Sequence, residues 1–255
     1  MHWMYELGVC RMRLDEAGVV EAAVEIVAAA PDDRLDLLVH HCARLTRAAA
    51  VSLTEAAPDG TLMPGIASGA TADHLMRVEL SDQAGPTLDC SRHGRAIHGA
   101  PLLPNGPWPA VAEVARTAGL ATVDAVPVSG GSAAFGVLSL YSTPPSSLGP
   151  TDRATATALA AITGIAIAQS RDVARAEHTA HKLREAIDQR LVIEQAKGLL
   201  AGRDGTTPDE ALTNLTDQAR SQGTELHTAA ASIISAHINE GPPAVTARCA
   251  RRQES

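Results

Sequence analysis

Residues 190–200 read Arg-Leu-Val-Ile-Glu-Gln-Ala-Lys-Gly-Leu-Leu, and Thr207-Pro208-Asp209-Glu210 follows shortly after. The second string is a capping box with proline at the first helical position. The Thr hydroxyl and the Glu carboxylate each satisfy a backbone N–H that a first turn leaves unpaired. Behind it, Ala211, Leu212, Leu215 and Ala219 form an apolar helix face that Gly223 ends. Leu226, Ala229, Ala230, Ile233 and Ile234 form the face of one more helix. Upstream, no proline occurs from Thr151 to Thr207, and only Gly164, Gly198, Gly202 and Gly205 interrupt the helix formers. Thr151 before Asp152 is the expected N-cap. Leu159, Ile162, Ala166, Gln169, Val173, Ala176, Ala180, Leu183 and Ile187 alternate steps of three and four, a heptad stripe with one polar member. Either a long helix lays this stripe on its own domain, or it is the seam of a self-associating coiled coil. Its length favours the coiled coil. The predicted order is long helix, loop, helix, turn, helix.

The chain has 255 residues, a formal charge of −8, a pI near 5.6 and 45% hydrophobic residues. That length and composition suffice for one large core or two small ones. Its 48 alanines point to abundant helix with small-residue packing. Aromatic residues number five, Trp3, Tyr5, Trp108, Phe135 and Tyr141, and none follows Tyr141. Collagen-like and disulfide-scaffold classes are excluded. An acidic chain is a poor non-specific binder of polyanions, so any nucleic-acid contact must be local and geometric. Cys10, Cys42, Cys90 and Cys249 are scattered without a CxxC pair, which suits free thiols in a reducing cytoplasm. Glu21 and Glu25 interrupt the apolar stretch from Val19 to Ala30, so no signal peptide is visible, and no run of 18 apolar residues exists. A soluble, cytoplasmic protein without a membrane partner is expected.

Residues 1–31 read as a leader, whose first eleven residues are a translation-start artefact or a loose tail. From there a mixed region runs to Tyr141. Leu35, Leu38, Val39, Cys42 and Leu45 recur at helical spacing, with Asp32 and Asp33 at the expected N-terminus. Val51–Glu55 and Leu62–Ala67 flank Pro58-Asp59-Gly60, a hairpin signal. Gly85-Pro86 opens a short helix, 102–109 is loop, and Trp108–Gly119 is a helix ended by glycine. Thr122–Pro127 and Ala134–Tyr141 are strands separated by Ser129-Gly130-Gly131-Ser132. The fold class is α+β, followed by an all-α segment.

In that order and context, Val192-Ile-Glu-Gln-Ala-Lys-Gly-Leu-Leu200 with Asp209-Glu210-Ala211, Leu215, Gln218-Ala219-Arg220 and the last helix resembles an ANTAR domain. The preceding region resembles a GAF domain of the kind fused to ANTAR in actinobacterial regulators. The residues that carry this are Gly85-Pro86-Thr87-Leu88-Asp89, Trp108-Pro109, Gly119-Leu120, Pro127-Val128 and Phe135-Gly136-Val137-Leu138-Ser139-Leu140-Tyr141. Together the two cover residues 35–237. The resemblance implies a sensor domain with a central antiparallel sheet over 32–170, a coiled-coil connecting helix over 171–189, and a three-helix module over 181–237. A flexible basic tail, 238–255, completes the chain. It further implies a transcription antitermination regulator, active as a homodimer through the 159–187 helix, whose module binds paired RNA hairpin loops overlapping terminators. Relatives often carry an aromatic where this chain has Leu212, and Gly-Pro-Cys-Leu-Asp where it has Thr87, with Cys90 three residues on.

Residues 181–239 hold six cations and eight acids, so the module has no basic field of its own. The resemblance makes Lys197 the foremost RNA contact, with Arg190, Arg203 and Arg220 beside it. On residue chemistry alone these are solvated face charges. Gln195 either hydrogen-bonds a base or faces solvent. Ala196 and Gly198 either admit RNA closely or pack in a core. For a small-molecule ligand in the sensor domain the candidates are Asp89, His93, Arg95, His98 and Trp108, each of which has a structural reading too. Such a module would act through protein–protein contacts. A helix-turn-helix DNA binder over 191–237 is the other alternative. Cys90 with His93, His40-His41-Cys42, and His178 with His181 match no catalytic or zinc spacing, so no enzyme, metal or cofactor is expected.

Overall fold

The computed structural model describes residues 17–143 and 148–240, and it divides into two compact units that meet at Val173/Ala174. The first eleven residues and the chain beyond Glu240 lie outside the described residues.

In the first unit, α1 (17–28) and a 3-10 turn (Pro31–Asp33) lead to α2 (Arg34–Leu45), β1 (Ala50–Ala56) and β2 (Leu62–Ala67). Then come α3 (Ala70–Asp82), α4 (Pro86–His93), β3 (Ile97–Pro101), α5 (Pro109–Thr117), β4 (Thr122–Gly130), β5 (Ala133–Ser142) and the start of α6 (Pro150–Asp204). The five strands form one antiparallel sheet in the order β2-β1-β5-β4-β3. The β1–β2 hairpin closes at Pro58-Asp59-Gly60. There Gly60 N–H donates to Ala57 O (2.9 Å) and the Asp59 carboxylate accepts from Thr61 N–H (2.9 Å).

Helices cover both sheet faces, which is why the central strand β5 is buried over nearly its whole length. On one face Ala22 and Ile26 of α1, Leu38 and Cys42 of α2, and Leu159 and Ala160 of α6 pack on Leu53, Val126, Leu138 and Leu140. On the other, Leu75 of α3 and Val111 and Ala115 of α5 pack on Val123 and Tyr141, while Cys90 of α4 meets Ala125 and Val137. Gly164 lets α6 approach the β4–β5 hairpin closely, since a Cβ there would stand 2.1 Å from Ser129 O.

Several expectations change. Part of the segment read as leader is α1, with Ala22 and Ile26 fully buried. Asp32 and Asp33 form the 3-10 turn and make no side-chain cap. The long helix begins at Pro150, not after a Thr151 cap: Asp152 Oδ2 accepts from Gly149 N–H (3.2 Å). The last helix runs to Glu240, so the first residues assigned to the tail are helical.

The second unit contains the rest of α6, then α7 (Pro208–Gln222) and α8 (Leu226–Glu240). Ala196 and Leu200 of α6, Ala211, Leu215 and Ala219 of α7, and Ala229 and Ala230 of α8 form its core. The predicted capping box is present: Thr207 Oγ1 accepts from Glu210 N–H (3.3 Å) and Glu210 Oε2 accepts from Thr207 N–H (2.9 Å). Gly223, at φ +63°, ends α7.

Candidate functional site

The heptad stripe divides. Leu159 and Ala166 are buried, with Leu159 inside the first unit's core, so this part lies on its own domain. Val173, Leu183 and Ile187 are 57%, 61% and 66% exposed, and Leu191 continues the exposed series. The expected seam over 159–187 therefore keeps an exposed apolar series only from Val173 onward.

Beyond the stripe stand the charged candidates. Arg190 and Gln195 are exposed. Lys197 is half-buried, and its ammonium pairs with Glu194 one turn back. Arg203 Nε donates to Asp204 Oδ1 (2.7 Å), and Arg220 Nη1 donates to Asp217 Oδ1 (3.1 Å). Such surface pairs stabilise by only about 0–1 kcal/mol each, so a phosphate can displace the carboxylate. Arg190 and Lys197 are two turns apart and share a face. Arg203, six residues past Lys197, lies roughly 120° around the helix at 3.6 residues per turn. The structure thus joins Arg190 with Lys197 and separates Arg203 from them. Arg203 instead borders a cleft of about 390 Å³ with Gln218, Ser232 and His237. Of these, only Gln218 stood in the motif that sequence reading singled out. Ala196 is fully buried, which makes it a packing residue. Gly198 is exposed and a Cβ there would meet nothing.

The sensor candidates fall into two places. Trp108 Nε1 donates to Asp89 Oδ2 (2.9 Å), Arg92 Nη1 donates to Asp89 Oδ1 (3.3 Å), and His93 Nδ1 bonds Asp89 O (2.7 Å). His98 belongs elsewhere, on the α6 side of the sheet: its Nδ1 pairs with buried Asp124 Oδ1 (3.2 Å), which also accepts from Arg153 Nε (2.7 Å). Arg95 is exposed. Sequence reading missed the polar cluster under α3 and α4. Glu79 is fully buried; its Oε2 accepts from Thr87 N–H (2.8 Å) at the start of α4, and its Oε1 accepts from Tyr141 O–H (2.9 Å). Thr87 Oγ1 bonds Ser139 Oγ (2.9 Å). Burial pushes the Glu79 carboxyl up to about 7. The Cys42 and Cys90 thiols, buried likewise, are pushed up to about 12, which leaves neither a thiolate nucleophile near neutrality. His93 is bound to a backbone carbonyl, and among the described residues no group of three or more His, Cys, Asp or Glu could hold a metal ion.

A GAF domain family model matches residues 28–168, more than half of the chain. The chain belongs to the GAF domain family. An ANTAR domain model matches residues 181–234, so the architecture is a GAF domain followed by an ANTAR domain. Similar solved structures include the GAF domain of a phosphoenolpyruvate-protein phosphotransferase from Acinetobacter. It is 13% identical, covers 64% of this chain and 98% of its own, and has a TM-score of 0.49. The corresponding GAF domain from Coxiella burnetii is 16% identical over 63% of this chain and 96% of its own, also with a TM-score of 0.49. No curated protein matches the chain.

Two models of regulatory modules, and none of a catalytic domain, account for the matched residues. An ANTAR domain implies RNA-binding antitermination control, with the GAF domain as its sensor. Among the described residues, no helix is long and apolar enough to cross a membrane.

Proposed function

We propose that the chain is an antitermination regulator, of the type found in actinobacteria, whose ANTAR domain binds paired hairpin loops of terminator-overlapping leader RNA under control of the GAF domain. The observation that carries it is the match of residues 181–234 to the ANTAR model, on a segment folded as three packed helices. Lys197 and Arg190 form the primary RNA face, with Gln195 nearby on the same helix; Arg203 and Arg220 contact the RNA from other faces. Each paired cation exchanges its carboxylate for phosphate. With no Phe, Tyr or Trp after Tyr141, bases are held by hydrogen bonds and guanidinium planes instead of aromatic stacking.

Two copies pair through the stripe Val173, Ala176, Ala180, Leu183 and Ile187, exposed except for the half-buried Ala180, as a coiled coil. Burying one such Leu, Ile or Val side chain favours association by about 1.5–3 kcal/mol. Two weak modules then engage two loops, and the pair carries the affinity. A signal at the GAF domain changes the packing of α6 and thereby the spacing of the modules, which requires different RNA affinity in two states. Asp89, His93 and Trp108 are the sensor residues that share one locality.

A mobility-shift assay with RNA bearing two adjacent hairpins tests this. Wild type shifts the RNA, Lys197→Ala abolishes the shift, and Leu183→Ser/Ile187→Ser weakens it by lowering dimer occupancy. An artificially dimerised chain with no RNA affinity would refute it.

A further inference from the structure

Between α6, α7 and α8 of the ANTAR domain lies the cleft of about 390 Å³ that Arg203 borders. Its volume falls within the range of small-molecule sites. The residues lining it differ in depth. Leu200 is buried and Leu199 and Ile233 are half-buried, whereas Arg203, Gln218, Ser232 and His237 are exposed. The deep lining is therefore apolar, and the polar groups stand at the mouth.

Among the described residues no carboxylate lines the cleft, while Arg203 brings a positive charge to it. Arg203 holds the neighbouring Asp204 through Nε (2.7 Å) and Nη2 (3.2 Å), an exposed pair that a phosphate displaces at little cost. The Gln218 amide and the His237 imidazole make no hydrogen bond or ion pair among the described residues. Ser232 Oγ donates to Thr228 O (3.1 Å), which leaves its lone pairs to accept. A cationic ligand would meet Arg203, and a wholly apolar one would dehydrate the polar groups of the mouth without giving them partners. A flat ring with apolar faces, hydrogen-bonding edges and a phosphate beside it satisfies every part of the lining. That is the chemistry of an unpaired nucleotide. RNA loops present such nucleotides, with bases splayed out and bonded along their edges. The chain has no Phe, Tyr or Trp after Tyr141, so in this domain a splayed base must lie against aliphatic side chains. Arg203 stands six residues from Lys197, about 9 Å of helix rise, so a single loop can touch both.

We propose that the cleft takes one unpaired nucleotide of the bound RNA. Its base lies on Leu199, Leu200 and Ile233, its edge bonds to Gln218, Ser232 and His237, and its phosphate sits on Arg203. This assignment rests on the RNA reading above and adds to it a contact with a base.

Loop bases of a two-hairpin RNA are removed one at a time, with the phosphodiester chain left intact, and affinity for the full chain is measured by fluorescence anisotropy. In wild type, removal at one loop position weakens binding by about tenfold, the scale of a lost set of hydrogen bonds. Ala236→Phe fills the cleft from an exposed position of α8, and Gln218→Ala removes an edge contact. In both variants the penalty for removing that same base shrinks, while melting remains cooperative. Penalties at every position equal in wild type and both variants would overturn the proposal and leave the RNA reading standing. A wild-type chain with no RNA affinity would overturn both. Adenosine and uridine monophosphates, titrated into the chain without RNA, test a free nucleotide as the source. No saturable binding at micromolar concentration is expected. Such binding, lost in Ala236→Phe while RNA affinity is unchanged, would give the cleft to a free ligand and overturn its assignment to RNA.

Discussion

Glutamine in place of Glu79 will flatten the dependence of the sensor domain's stability on pH. Glu79 is fully buried, and its carboxyl is raised from 4.5 to about 7 because burial penalises the charged form more than its bonds to Thr87 N–H and Tyr141 O–H favour it. A raised carboxyl makes the folded state hold its proton where the unfolded state has released it. The stabilising contribution is therefore fully present below pH 4.5 and is lost as pH rises through about 7. Between pH 5 and pH 8 the loss amounts to about 2–3 kcal/mol, on the scale of 1.36 kcal/mol per unit of pKa difference. Glutamine keeps an oxygen for Thr87 N–H and presents an amide to the Tyr141 hydroxyl, with no charge to desolvate. Urea unfolding of the full chain, followed by tryptophan fluorescence at a series of pH values, measures the difference. Trp108, bonded to Asp89, reports on this domain. Wild type should lose about 2–3 kcal/mol relative to Glu79→Gln across that interval. Parallel pH profiles for the two proteins would refute the reasoning.

Gly164→Ala improves intrinsic helix propensity by about 1 kcal/mol, yet it places a Cβ 2.1 Å from Ser129 O. A net destabilisation of about 1–3 kcal/mol in urea unfolding is expected, since backbone atoms on both sides must shift. Thr207→Ala removes the capping-box acceptor for Glu210 N–H. It should cost about 1 kcal/mol and speed amide exchange in the first turn of α7, without altering exchange in the sheet.

Where local chemistry decides an element, the sequence was legible. Pro58-Asp59-Gly60 closes its hairpin, Thr207-Pro208-Asp209-Glu210 starts its helix, and Gly119 and Gly223 end theirs at positive φ, as their residue types require. Helix α3 was missed because its core-facing series Ala72, Leu75, Met76, Glu79 ends in a carboxylate, which reads as solvent-facing until Thr87 and Tyr141 are seen to bond it. Strand β3 was missed because it is a five-residue edge strand holding Gly99 at φ +56° and Pro101, both poor strand signals. The heptad stripe was readable, but periodicity is blind to what covers it. Only the folded chain shows that Leu159 lies in a core and that Leu183 and Ile187 do not. Among the site residues, the pairing of Arg190 with Lys197 followed from spacing. The displacement of Arg203 to a cleft with Gln218 and His237 depended on how α7 and α8 pack. His98 was grouped with Asp89 by nearness in sequence, yet strand alternation turns it toward Asp124 on the opposite face.

The central claim is that paired ANTAR domains bind paired RNA loops. Light scattering after size exclusion tests it most directly, on the full chain alone and mixed with an RNA bearing two adjacent hairpins. The expected result is a complex of two chains with one RNA for wild type, and none for Lys197→Ala at the same concentration. A wild-type chain that elutes at its own mass, with the RNA eluting separately even at high protein concentration, would contradict it.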